Sequence, residues 1–77
     1  MEKEEIVELI RKEVEKEFGA ERIKKIDYFG PYEGEDLNVK VYVEGIDYRK
    51  DTVKVWNRLF DKFLELGIDV PLAITKA

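Results

Sequence analysis

Apolar residues recur along this chain with two different periods, and the alternation between them outlines five elements. Between residues 2 and 18 (EKEEIVELIRKEVEKEF), Ile6, Ile10, Val14 and Phe18 fall every four residues, with Val7 and Leu9 widening the stripe. That is the spacing of an amphipathic helix. Its other face is nearly all Glu, Lys and Arg, Glu8 and Lys12 are placed for an i,i+4 pair, and Gly19 is placed to end the helix in a left-handed cap. RIKKIDYF (22–29) follows as a strand with flawed alternation. Ile26 and Tyr28 share one face while Ile23 and Phe29 share the other, a conflict that a bulge or an irregular start would resolve. The turn Gly30-Pro31-Tyr32-Glu33-Gly34 closes it. LNVKVYVE (37–44) then alternates cleanly, with Leu37, Val39, Val41 and Val43 toward a covering layer and Asn38, Lys40, Tyr42 and Glu44 away from it.

The second helix is expected to start at Asp47 or Asp51, either of which can cap it. Val53, Trp56, Leu59, Phe60, Phe63 and Leu66 read as one broad core stripe, and Gly67 ends it. IDVPLAI (68–74) makes the last strand, with Val70, Leu72 and Ile74 on one face. Pro71 lacks an N–H for a ladder, which puts this strand at a sheet edge. The order is α-β-β-α-β. A short turn makes the first two strands an antiparallel hairpin, and a helical crossover makes the second and third parallel. The expected fold class is α+β in two layers: a three-stranded mixed sheet with two helices packed on one face, forming a single domain over residues 1–77. The second strand is central, and the lysines at 24 and 25 would guard the first strand's open edge.

Composition narrows the chemistry. Seventy-seven residues allow one core and no deep substrate cavity beside it. Charged residues make up 42% of the chain while the net charge is only −4, so both signs are interleaved over a solvated surface. Such Lys and Glu enrichment is the signature of heat-adapted proteins; a melting temperature of about 60 °C, ordinary for mesophile domains, would contradict that reading. The mild acidity runs against a nucleic-acid partner. The chain has no His, Cys, Ser or Gln. Disulfides, thiolate metal sites and the Ser–His or Cys–His pairs of nucleophilic catalysis are therefore excluded, and any metal would be a hard, oxygen-bound ion. No apolar run reaches the length of a membrane span, and MEKEEIVELI lacks the features of a signal peptide, so a cytoplasmic protein with no membrane partner is expected.

One resemblance adds to this. FGAERI (18–23), FGPYEGED (29–36), DLNVKVYV (36–43) and LGIDVPLAI (66–74) occur in the order in which minimal nucleotidyltransferase domains carry corresponding segments. The chain resembles that family over most of its length at the level of element order. The resemblance implies a Gly-Ser turn against a triphosphate and three strand-borne carboxylates holding divalent metal. Carried over, Gly30 matches the glycine but Pro31 stands at the serine, Asp36 matches the first carboxylate, Asn38 stands at the second, and Pro71 falls at the third, with Asp69 two residues earlier as its loose substitute. The spacer before Asp36 is also shorter than the family's. The implied metal set is thus Asp36, Asn38 and Asp69, with Glu35 nearby. The implied nucleotide contacts are Gly30, Gly34 and Lys40, with Lys25 behind them. One charged ligand where three are needed makes a poor Mg²⁺ site, so no catalytic residues are assigned and phosphoryl transfer is not expected.

Three functions follow as expectations. The first is a non-catalytic, nucleotidyltransferase-like scaffold that binds a protein partner or itself, motivated by tyrosines at 28, 32, 42 and 48 that exceed the needs of a small core. The second is a weak nucleotide or Mg²⁺ binder at the residues just named, against which Glu33, Glu35 and Asp36 read as a plain solvated acidic turn. The third, ranked last, is an open-sheet RNA binder using Tyr42 and Lys40. Self-association, if present, is expected through the uncovered sheet face or the first strand.

Overall fold

The computed structural model describes residues 1–47 and 49–77, and Tyr48, one of the four tyrosines singled out above, lies outside the described residues. The elements run α1 (Lys3–Phe18), a 3-10 turn (Ala20–Arg22), β1 (Ile23–Phe29), β2 (Asn38–Val43), α2 (Val53–Leu66) and β3 (Leu72–Lys76). The three strands form one sheet in the order β1-β2-β3, with β1 antiparallel and β3 parallel to the central β2. The α+β two-layer architecture read from the sequence is the one observed.

Local chemistry accounts for most boundaries. At the start of α1 the Glu2 N–H donates to the Glu5 carboxylate at 3.0 Å, satisfying one donor of the first turn. On its exposed face Glu8 pairs with Arg11 (3.5 Å) rather than with Lys12. Gly67 closes α2 in the left-handed conformation (φ 68°, ψ 33°), its N–H on the Leu64 carbonyl and the Ile68 N–H on that of Phe63. Gly19 closes α1 differently from expectation, with φ 92° but an extended ψ of 143°, because the chain passes straight into the 3-10 turn. Neither expected aspartate caps α2, whose N-cap is Thr52. Asp47 and Asp51 build the preceding loop instead: the Asp47 carboxylate accepts from the Arg49 N–H and the Asp51 carboxylate from the Asp47 N–H. Short acidic side chains commonly bond backbone a few residues away in this manner.

The core is one cluster between the helices and the sheet. Ile6, Ile10 and Val14 of α1 meet Val39, Val41 and Val43 of β2, with Leu37 just ahead of that strand, and Val55 and Leu59 of α2 complete the fully buried set. The flaw in β1 is a register shift between Ile23 and Lys25, which sets Ile23 opposite Val43 and Ile26 opposite Val41. Ile23 thus joins Ile26 against the core, and it does not share the face of Phe29 as the simple alternation implied.

The larger correction concerns α2. Val55, Leu59 and Phe63 are its buried residues, whereas Val53, Trp56, Phe60 and Leu66, read above as core, are exposed. The Trp56 indole reaches the Leu72 carbonyl, so α2 lies along the β3 edge of the sheet and its outer flank has no strand beneath it to bury against.

Candidate functional site

The turn between β1 and β2 is organised by a carboxylate. Glu35 Oε1 accepts from the backbone N–H groups of Tyr32 (2.7 Å) and Glu33 (2.6 Å), and Oε2 accepts from Asn38 Nδ2 (2.8 Å). The bond from the Glu33 N–H, together with those from Asn38 and Tyr32, holds the Glu35 carboxyl down from its ordinary 4.5 to about 2. The Gly30–Pro31 peptide is cis. Gly30 has φ 91°, and a Cβ there would lie 2.7 Å from Asn38 Nδ2, so this position needs glycine for the turn's own geometry. At Gly34 (φ 90°) a Cβ would meet nothing.

Asp36 and Asp69 come together, but through backbone. The Asp69 N–H donates to Asp36 Oδ2 at 2.7 Å, and the Asp36 N–H donates to the Asp69 carbonyl at 2.8 Å. This reciprocal pair ties the entry of β2 to the approach of β3. Asn38 directs its amide nitrogen to Glu35 and, at 3.4 Å, to the Phe29 carbonyl. Among the described residues no three Asp or Glu side chains are gathered as a metal ion would require. With one Asp36 oxygen engaged and Asn38 turned to Glu35, the set Asp36, Asn38 and Asp69 does not fit Mg²⁺, which prefers several carboxylate or phosphate oxygens in strict octahedral order.

Lys40 lies on the sheet face away from the helices, opposite Asp27 of β1. Its ammonium sits 5.3 Å from the Tyr42 ring centre, and that of Lys25 sits 5.9 Å away. Lys25 also pairs with Asp27 at 3.5 Å. Tyr42 is half-buried beneath these lysines, while Tyr28 and Tyr32 are exposed as expected, the latter 6.0 Å from the Phe29 ring. A cleft of about 340 Å³ between the end of α1 and the start of α2 is lined by both signs of charge: Glu17, Arg22, Lys50, Asp51 and Lys54 around Phe18. Arg22 is already held there by the carbonyls of Glu44 (3.0 Å) and Gly45 (2.7 Å).

The two flanks of α2 differ sharply. Toward α1 it offers cations: Arg58 binds Glu13 (3.3 Å) and Glu17 (3.1 Å), and Lys62 approaches Glu13 (3.8 Å). Glu13 is the one buried charged residue among those described. Burial pushes its carboxyl up, but the Arg58 hydrogen bond, with Lys16 and Lys62 beside it, outweighs this and holds it below the ordinary value. Its bond to Glu17 leads the effects that raise Arg58.

On the outer flank, Val53, Trp56, Phe60 and Leu64 are 52%, 39%, 46% and 66% exposed. The Trp56 and Phe60 rings stack at 5.2 Å and 10°. The Trp56 Nε1–H donates to the Leu72 carbonyl at 3.2 Å. Val39 N–H binds the Pro71 carbonyl and Ala77 N–H that of Val43, so Leu72, Ile74 and Lys76 turn their backbone groups to the open edge of β3. Trp56 therefore roofs that edge at Leu72. A cleft of about 260 Å³ lies against Phe60, Phe63, Leu64, Ile68, Asp69 and Val70. No protein-family model, curated protein or solved structure matches the chain.

This flank is the surface that sequence reasoning missed. The signal was there: Val55, Leu59 and Phe63 repeat every four residues, and so do Trp56, Phe60 and Leu64 one position later. Read as two stripes, they demand two partners, of which the core is one.

Proposed function

We propose that the chain is a non-catalytic, nucleotidyltransferase-like scaffold that acts by docking a protein on the outer flank of α2. One observation carries the reading. The ion pairs of α2 face its neighbour α1, while a second apolar stripe of Val53, Trp56, Phe60 and Leu64, beside the buried Val55, Leu59 and Phe63, faces solvent. A lone domain gains most from the opposite arrangement, with charges in water and rings inside. Stacked aromatics with an engaged indole N–H are also the side chains from which interface anchors are made. The nucleotidyltransferase-like part of the reading draws support from the α-β-β-α-β order and the mixed sheet. No helix is long and apolar enough to cross a membrane among the described residues. The charge-rich surface is in keeping with a cytoplasmic protein of a heat-adapted organism.

The test is photo-crosslinking in cells of the source organism, with a benzophenone side chain in place of Phe60 and, as control, in place of Glu8 on the exposed face of α1. Position 60 is expected to yield discrete adducts with protein that position 8 does not. Equal labelling at both positions, or none, would remove the docking surface.

A further inference from the structure

Three cations without a carboxylate partner share one cleft. With 18 acidic side chains against 14 basic ones, carboxylates are plentiful in this chain. Yet Arg22, Lys50 and Lys54 enter none of the ion pairs of the described residues. All three line the cleft of about 340 Å³ between the end of α1 and the start of α2. Uncancelled charge of one sign lining a cleft focuses the field that draws a counter-ion.

The two carboxylates of the cleft are already engaged. Glu17 Oε1 accepts from Arg58 at 3.1 Å, and Asp51 Oδ2 accepts from the Asp47 N–H at 2.8 Å. Arg58 offsets the charge of Glu17, so the cleft presents three cations against Asp51 alone.

Arg22 is held in place. Its Nε–H and one Nη2–H donate to the carbonyls of Glu44 (3.0 Å) and Gly45 (2.7 Å), and its guanidinium lies 5.9 Å from the Phe18 ring centre. A guanidinium has five N–H donors, so three remain uncommitted. Neutral carbonyls orient the group without cancelling its charge. Lys54 stands in the first turn of α2, which holds no acidic residue. A cation there opposes the helix dipole, a cost that an anion in the cleft offsets.

We propose that this cleft binds a phosphate group, either free or as the monoester of a small molecule. A rigid arginine fork flanked by two lysine point charges suits a doubly charged tetrahedral oxyanion better than a singly charged carboxylate. The volume lies at the low end of small-molecule sites and leaves room for a small organic body. The site is separate from the docking surface of α2, because Lys54 and Trp56, two residues apart, stand about 200° apart around the helix.

The measurement is an NMR titration of the isotope-labelled chain, following backbone amides and arginine Nε–H groups. Inorganic phosphate and ribose 5-phosphate are added separately at about pH 7.5, where the phosphate group is largely dianionic, with ionic strength held constant by chloride. Saturable shifts are expected at the Arg22 Nε–H and at the amides of Lys50, Asp51 and Lys54, with half-saturation in the millimolar range set by screened, exposed charges. Lys50→Gln combined with Lys54→Gln is expected to weaken binding about tenfold, the effect of two solvent-screened charges at contact distance. Both side chains are exposed, so this variant should keep the native spectrum. Lys3→Gln combined with Lys12→Gln removes the same charge from exposed positions of α1 outside the cleft and should leave binding unchanged. Tighter binding of the ester assigns the cleft to a small organic phosphate, and equal or tighter binding of inorganic phosphate assigns it to the free ion. Shifts that never saturate with either probe, or that centre on other residues, overturn the proposal. So does an equal loss from the two double variants, or an unaltered affinity when Lys50 and Lys54 are both replaced.

Discussion

Leu59 and Phe60 are adjacent in α2, and truncating each to alanine separates the observed phase of this helix from the one its composition suggests. Leu59 is fully buried among the core side chains. Leu59→Ala removes its apolar area from the core and leaves a cavity that two helices on a narrow sheet can only partly close, a cost of about 3 kcal/mol within the usual range for such changes. Phe60 is exposed over nearly half its surface and rests mainly on the Trp56 ring. Its loss opens no enclosed cavity, so Phe60→Ala in the monomer costs about 1 kcal/mol from lost stacking and partial burial. For 77 residues the unfolding entropy corresponds to about 0.16 kcal/mol per degree. The two variants should therefore lower the melting temperature by about 19 °C and about 6 °C respectively. The assay is urea and thermal unfolding by far-UV circular dichroism at low micromolar concentration. Equal losses, or a larger one for Phe60→Ala, would mean that the helix is rotated to bury the Trp56–Phe60 flank, and the exposed stripe would vanish with it.

Three further outcomes follow from the turn between β1 and β2 and the Asp36–Asp69 tie beside it. The folded pKa of Glu35 lies below its unfolded one, so its contribution to the turn is complete above about pH 4.5 and is lost as the pH falls toward 2. Carboxyl-detected NMR should find Glu35 titrating near the bottom of that window, and Glu35→Gln should speed amide exchange at Tyr32 and Glu33; a midpoint at the ordinary carboxylate value would refute the clamp. Asp36→Ala removes the acceptor of the Asp69 N–H and should cost about 1 kcal/mol with faster exchange at Asp69. In the unmodified chain, trace Mn²⁺ should broaden no amide near Asp36, Asn38 and Asp69 more than those near other exposed carboxylates, and selective broadening there would restore the metal site.

What the sequence allowed and what it withheld divide along the reach of local patterns. The alternation of LNVKVYVE fixes which side of β2 is buried because a strand has only two faces, and an error of one residue would put four valine or leucine side chains into water. The bulge in β1 was visible as a conflict between Ile23 and Ile26, since a strand cannot satisfy both without an extra residue. The start of α2 was misplaced because aspartate bonds nearby backbone N–H groups as readily in a loop as at a helix end. Glu35 was read as one of three solvated acids because nothing in its spacing distinguishes a carboxylate that folds back on Tyr32 and Glu33 from one that does not. The Asp36–Asp69 tie joins residues 33 apart in sequence, on the segments leading into two strands, which no local pattern reports.

The misreading of α2 has a different origin, and it is the one that bears on function. Apolar residues occupy an arc close to half the helix, and from the sequence alone every one of them is a candidate for the core. How much of that arc the core can accept depends on the width of the sheet and on where α1 sits, and neither is encoded in α2 itself. The ion pairs settle the matter. Arg58 and Lys62 turn to Glu13 and Glu17 of α1, which fixes the rotation of α2 and leaves Trp56, Phe60 and Leu64 on the far side. A buried carboxylate left without its cations is costly, whereas rings left at a surface lose only part of their burial. The rotation that keeps Glu13 paired is therefore the more stable one even though it exposes aromatic surface. The charge network that holds the two helices together is also what turns the second stripe outward.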